Sequence, residues 1–181
     1  MIQDSFDGVW VNLGVDVFAR HVTPQRYQPG IGLRPGGERP DIEAVVPALY
    51  AALYESIAAH SRQGLNVVAD VDHHDAYSRS PQVLRDVAAR LAGLPALFVG
   101  VRCPVEVIMR RRRETWGQPW EDGAAIPGPV LRWQEAVHDP GIYDLEVDTG
   151  QLSPTECGTA IARRLQEHPA PSAFARLAEA S

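Results

Sequence analysis

A chain of 181 residues, 45% hydrophobic and 22% charged, has the composition of one globular domain large enough to bury a full core. Its formal charge of −6 argues against a general nucleic-acid binder. All 17 basic residues are arginine, which excludes Schiff-base chemistry and a lysine-based phosphate loop within these residues. The apolar runs are too short to span a bilayer and no charged-then-apolar leader opens the chain, so a cytoplasmic location away from membranes is expected. Cys103 and Cys157 lack metal-ligand spacing and are read as buried free thiols.

Residues 1–6 resemble the last turn of a helix. The stretch 9–13, VWVNL, suits a short buried strand, and Gly14 then loosens the backbone ahead of Asp16. A short amphipathic piece with Val17, Phe18 and His21 runs into Pro24. Residues 24–40 are so rich in proline and glycine that no regular element can form. Tyr27, Ile31 and Leu33 give this loop apolar anchors and favour its folding over a site.

Residues 41–62 carry apolar positions three and four apart and predict a helix stopped by Gly64, with Pro47 as a kink or a later start. Residues 65–70, LNVVAD, predict a buried strand followed by a polar turn. A helix over 81–91 follows, with Ser80 as cap and Pro81 in the first turn. Residues 96–101, ALFVGV, read as a strand covered on both faces. A helix over 104–116, an irregular segment over 117–129 and a short helix over 130–137 come next. A last strand over 142–147 precedes a helix over 153–166, opened by the capping box Ser153-x-x-Glu156. Strands alternating with helices predict a three-layer α/β sandwich with a parallel sheet and right-handed crossovers. One domain over 1–168 and a tail over 169–181 are expected.

Asp16 falls at the carboxyl end of the first strand, where reactive groups gather in parallel sheets. A carboxylate there can orient and deprotonate a hydroxyl, or simply cap the next helix. The turn 70–75, DVDHHD, is the densest polar cluster. Asp70, Asp72, His73 and His74, with Tyr77 beyond them, suit substrate contact or plain turn chemistry. Adjacent histidines cannot easily reach one ion from the same side, so no metal site is expected. Arg110–Arg113 can donate to a phosphate oxyanion or favour the helix C-terminal dipole. Arg132 and His138 flank the same irregular segment, and Trp116, Trp120 and Trp133 offer apolar walls there.

GVD at 14–16, LNVVAD with HHDAYS, LFVGVRCPVEVIMRRRRE and PGIYDLEVDT together resemble the chloramphenicol phosphotransferase-like family, from about residue 3 to about residue 165. GVRC at 100–103 and YD-EVDT at 143–149 are specific in combination. The resemblance implies a P-loop kinase fold, with ATP and Mg2+ used to phosphorylate a hydroxyl of an antibiotic-like small molecule. It matches Asp16 to the catalytic base and sets Arg110 and Arg113 where the lid begins, with Arg132 beyond. Loop 24–40 would border the acceptor pocket.

The family opens with a strand and a Gly-Lys-Ser phosphate loop that these residues do not contain. The strand is the central one, so its loss is expected to expose the edges of 65–70 and 96–101. Weak or no ATP binding by these residues is the expectation that follows, as is a natural start roughly two dozen residues further upstream. The alternatives are a non-catalytic relative that binds a small molecule or a partner chain, a second copy included, and a metal-dependent hydrolase built on 70–75.

Overall fold

The computed structural model describes residues 2–37, 39–78, 82–167 and 172–179. Two parallel strand pairs form its sheets. β1 (Trp10–Asn12) pairs with β2 (Asn66–Val68), in register Trp10↔Asn66 and Asn12↔Val68. β3 (Val99–Arg102) pairs with β4 (Leu145–Asp148), in register Val99↔Leu145 and Arg102↔Asp148. Among the described residues no strand joins β2 to β3, so both inner edges lack a ladder partner. Val101 on β3 is accordingly 55% exposed. This mixed α/β arrangement of small parallel sheets agrees with a P-loop kinase-like fold.

The helices follow the expected order. After α1 (Ile2–Ser5) and α2 (Val15–His21) comes the long α3 (Val46–Arg62). Pro47 lies in the first turn of α3, where its missing N–H costs nothing, so the helix starts later rather than kinking. A 3-10 turn, Glu43–Val45, replaces the first residues of the expected helix. Gly64 ends α3 with φ +81°, a conformation that favours glycine. Val46, Tyr50, Leu53, Tyr54 and Ala58 line one face of α3 and are buried. That face packs against Phe18, Ile31, Leu33 and Ile42 and against Val83, Val87 and Leu91 of the α4 region, forming the main core.

α4 spans Val83–Arg90, and the expected cap at Ser80 and Pro81 lies outside the described residues. The strand expected from residue 96 begins only at Val99. Its start is set by β4, which supplies partners from Leu145 onward, with one further rung from the Asp144 N–H to the Phe98 carbonyl at 2.9 Å.

α5 (Val105–Trp116) buries only Met109, which joins Trp120 and Val130 of α6 (Gly128–Ala136) in a small separate core. α7 (Pro154–Gln166) opens on Ser153, whose hydroxyl accepts the Glu156 N–H while Glu156 accepts the Ser153 N–H at 2.7 Å. The described part of the tail forms α8 (Ala173–Glu179), which buries Ala173 and Leu177. It packs against α4, and its start is held by Asp144 Oδ1, which accepts the Ser172 and Ala173 N–H groups at 2.7 and 2.9 Å.

Candidate functional site

The β1–β2 ladder continues past the strands, through the Leu13 N–H to the Val68 carbonyl and the Val15 N–H to the Asp70 carbonyl, at 3.0 and 2.8 Å. This sets Gly14 against Asp70 and brings the carboxyl ends of both strands together. Gly14 caps α2, and Asp16 occupies the first turn of that helix. The Asp16 side chain is 75% exposed and lies 3.7 Å from Arg20. Asp70 and Asp72 follow β2 on the same rim. Burial raises Asp70 above the usual carboxylate range, and the Asp16 charge adds to the effect. Burial raises Asp72 to about 7, with Asp70 and Asp16 reinforcing it and Arg34 opposing it. Asp72 Oδ1 is buried without a hydrogen-bond partner among the described residues.

The two histidines diverge. His73 is 4% exposed; it shares a hydrogen bond through Nε2 with the Tyr54 hydroxyl and lies between the Tyr50 and Tyr54 rings. Burial lowers it to about 3, so it stays neutral. His74 points the other way, with Nε2 2.7 Å from the Leu33 carbonyl and its ring stacked on Tyr77 at 4.3 Å. His74 Nδ1 and the Tyr77 hydroxyl are both buried without partners among the described residues. His73 is thus a core residue, whereas His74 and Tyr77 form a wall beneath loop 24–40. Asp75 accepts the Val83 N–H at 3.0 Å and so caps α4.

The arginine run divides by helical position. Arg110 and Arg113 face Asp122 at 3.9 and 3.7 Å, and Arg113 also donates to the Trp120 carbonyl at 3.1 Å. Arg111 donates to Thr149 beyond β4. Arg112 sets its guanidinium 5.1 Å from the centre of the Trp116 ring, and partial burial, with the Arg34 charge adding to it, lowers its pKa. Arg132 of α6 lies against loop 24–40, where a Cβ on Gly36 would stand 3.1 Å from its Nη2. Trp120 is buried in the small core, Trp133 meets His74 edge-on at 5.9 Å, and Trp116 is 64% exposed. His138 bonds through Nδ1 to the Tyr143 hydroxyl at 2.9 Å, apart from this group.

Asp16, Asp70 and Asp72 therefore share one rim, His74 and Tyr77 one wall, and Arg132 one flank of the same loop, while Arg110 and Arg113 are turned to Asp122 and the loop after α5. Arg34 and the capping by Asp75 escaped the sequence reading, which took Arg112 only as one of the run 110–113. Only Arg34 left a trace there, as the single charge between the apolar anchor Leu33 and Pro35.

Among the described residues no three His, Cys, Asp or Glu side chains converge to hold a metal ion. Among the described residues, two cavities stand out, one beside His74 and one away from the carboxylates, at α7. One, of about 290 Å³, is bordered by His74, Asp75, Arg85 and Asp139. The other, of about 460 Å³, is lined by Ile2, Leu152, Cys157 and Ile161 with Arg111 and Thr149 at its edge.

Strand-end carboxylates above parallel strand pairs agree with a kinase-like phosphotransferase family. The chain belongs to the chloramphenicol phosphotransferase-like protein family, whose model matches residues 1–166. Compared with curated proteins, the chain finds no match.

Proposed function

We propose that the chain is a small-molecule O-phosphotransferase, moving the γ-phosphoryl group of ATP to a hydroxyl of an antibiotic-like acceptor. The observation that carries this reading is the gathering of Asp16, Asp70 and Asp72 over the carboxyl ends of β1 and β2. Asp16, the most open of the three to an incoming acceptor, takes the hydroxyl proton as the oxygen attacks phosphorus and ADP departs. Asp70, Asp72, His74 and Tyr77 line the acceptor side, while His73 supports them from the core. ATP and Mg2+ are what the family implies. With no lysine in these residues, arginines are the cations available to the phosphates. Arg110 and Arg113 must leave Asp122 to serve there, and the separations of 3.9 and 3.7 Å make that a loose tie. A cytoplasmic setting supplies ATP, and no described helix is long and apolar enough to cross a membrane.

Transfer of radiolabelled γ-phosphate from ATP to a panel of hydroxylated antibiotics tests the proposal. Acceptor-dependent label that disappears in Asp16→Asn supports it; no label with any acceptor sinks it. A second reading, a non-catalytic binder of a small molecule or of another chain, a second copy included, is favoured by the open inner edges of β2 and β3. Calorimetry separates the two, since acceptor heat without nucleotide heat belongs to the binder.

A further inference from the structure

His74 has one ring nitrogen in use and one idle. Nε2 lies 2.7 Å from the Leu33 carbonyl. A carbonyl only accepts, so the ring proton sits on Nε2 and Nδ1 keeps its lone pair. Burial holds the ring below the usual histidine range, which keeps it neutral. Tyr77 covers one ring face at 4.3 Å, and Trp133 meets the ring edge-on at 5.9 Å. His74 is 3% exposed, and its Nδ1 has no hydrogen-bond partner among the described residues. A buried acceptor left unpaired costs free energy that a donor recovers.

The same residue borders a cavity of about 290 Å³, enclosed by the turn after β2, the start of α4, the end of α6 and α8. Val83, Ala136, Pro140 and Leu177 give this cavity an apolar body. An apolar cavity of roughly 150 Å³ already takes a benzene molecule, so one ring with a substituent has room here. The charged groups on its wall are Asp75, Asp139 and Arg85. Asp75 is spent on the Val83 N–H through Oδ1, and Arg85 Nη1 donates to the Gln82 side chain at 3.5 Å. Asp139 makes no ion pair among the described residues. Two carboxylates against one guanidinium favour a cation over an anion in such a cleft. An ammonium group meets both demands, since it carries the charge and has N–H donors but no acceptor. The wall supplied by Leu177 of α8 lies beyond residues 1–166, which the family model matches.

We propose that this cavity binds a small primary amine, its ammonium group donating to His74 Nδ1 beside Asp139 and its apolar part lying between Val83 and Leu177. The inference goes beyond the phosphotransferase reading and does not rest on it, because such a site takes its amine whether or not a phosphoryl group is transferred.

Titration of the full chain, carrying isotope-labelled histidine, with benzylamine tests it, followed at the ring nitrogens by NMR. A saturable shift of the His74 Nδ1 resonance is expected, that resonance being identified by its absence in His74→Phe. Ala136→Leu, which places a larger side chain in the cavity, should weaken binding on the order of tenfold or more. Asp139→Asn should weaken it about threefold, as for an exposed ion pair. Benzoate, the same ring with a negative charge and no donor, should bind on the order of tenfold more weakly than benzylamine. If Ala136→Leu fails to fold by circular dichroism, Asp139→Asn, at an exposed residue, carries the comparison. No saturable shift in the parent, or saturable binding that leaves the His74 ring nitrogens unmoved, overturns the site. So does equal affinity in the parent and the folded cavity variants, or benzoate binding as tightly as benzylamine.

Discussion

Gly14 and Asp70 fit together because one of them has no side chain. A Cβ on Gly14 would stand 1.7 Å from Asp70 Oδ1 and 3.1 Å from the Asp70 carbonyl oxygen. The backbone at Gly14 is extended, with φ −66° and ψ 169°, which any residue can adopt. Space, not conformation, therefore demands the glycine. Gly14→Ala must drive the Asp70 carboxylate off the rim, at a cost of about 1–3 kcal/mol for overpacking. In a double-mutant cycle read by urea unfolding, Asp70→Ala should recover most of that cost. Additive losses would mean that the two do not press on each other.

Asp72 and His73 are neighbours whose protonation pulls stability in opposite directions. Burial raises Asp72 from 3.8 to about 7, so between those values the folded state keeps a proton that the unfolded chain has lost. Its contribution falls as pH rises through that window. Burial lowers His73 from 6.5 to about 3, so there the unfolded chain holds the extra proton. Its contribution is present above 6.5 and is lost as pH falls toward 3. The raised Asp70 adds to the first slope and the lowered His74 to the second. Where the windows overlap the slopes largely offset. Denaturant unfolding across that range should show stability rising with pH in Asp72→Asn and falling with pH in His73→Phe, which keeps the ring. Parallel profiles in the two variants would contradict this.

Asp75 caps a helix rather than facing a ligand. Its Oδ1 accepts the Val83 N–H at 3.0 Å, and a lost cap costs about 1 kcal/mol. Asp75→Ala should lower stability by that amount and Asp75→Asn by much less, both with acceptor affinity kept. A large loss of affinity at unchanged stability would move Asp75 into the binding site.

The Asp122 pairs tie loop 117–127 to α5 through exposed groups, and exposed pairs contribute at most about 1 kcal/mol. Asp122→Asn should therefore leave the unfolding midpoint nearly unchanged. It should still loosen the loop around Trp120, whose carbonyl Arg113 holds, and so raise acrylamide quenching of tryptophan fluorescence.

Local signals in the sequence carried the helices, and the motif pair GVRC and YD-EVDT has a physical reason. A Cβ on Gly100 would stand 2.7 Å from the Tyr143 ring, so the glycine of one motif makes room for the tyrosine of the other across β3 and β4. The later start of β3 was not legible, because pairing begins where β4 supplies a partner. The division of the arginine run was equally hidden. Residues 110–113 look alike in sequence, and only Asp122, Thr149 and Arg34, supplied by distant segments, tell them apart. His73 and His74 form the same kind of pair: adjacent letters, one turned to the aromatic core and one to the loop.

The docking of α8 has an architectural consequence. Phe98, at the foot of β3, meets His73 on one side at 6.1 Å and stacks on Phe174 of α8 on another at 4.9 Å, while Arg176 donates to the Tyr143 carbonyl at 2.8 Å. The same helix buries Leu177 where it packs on α4. Because no shared ladder welds the strand pairs among the described residues, this helix serves as the mortar between them. Cooperative melting of the two halves is thus expected to depend on a few side chains of α8, and eroding them should let each half come apart at its own temperature.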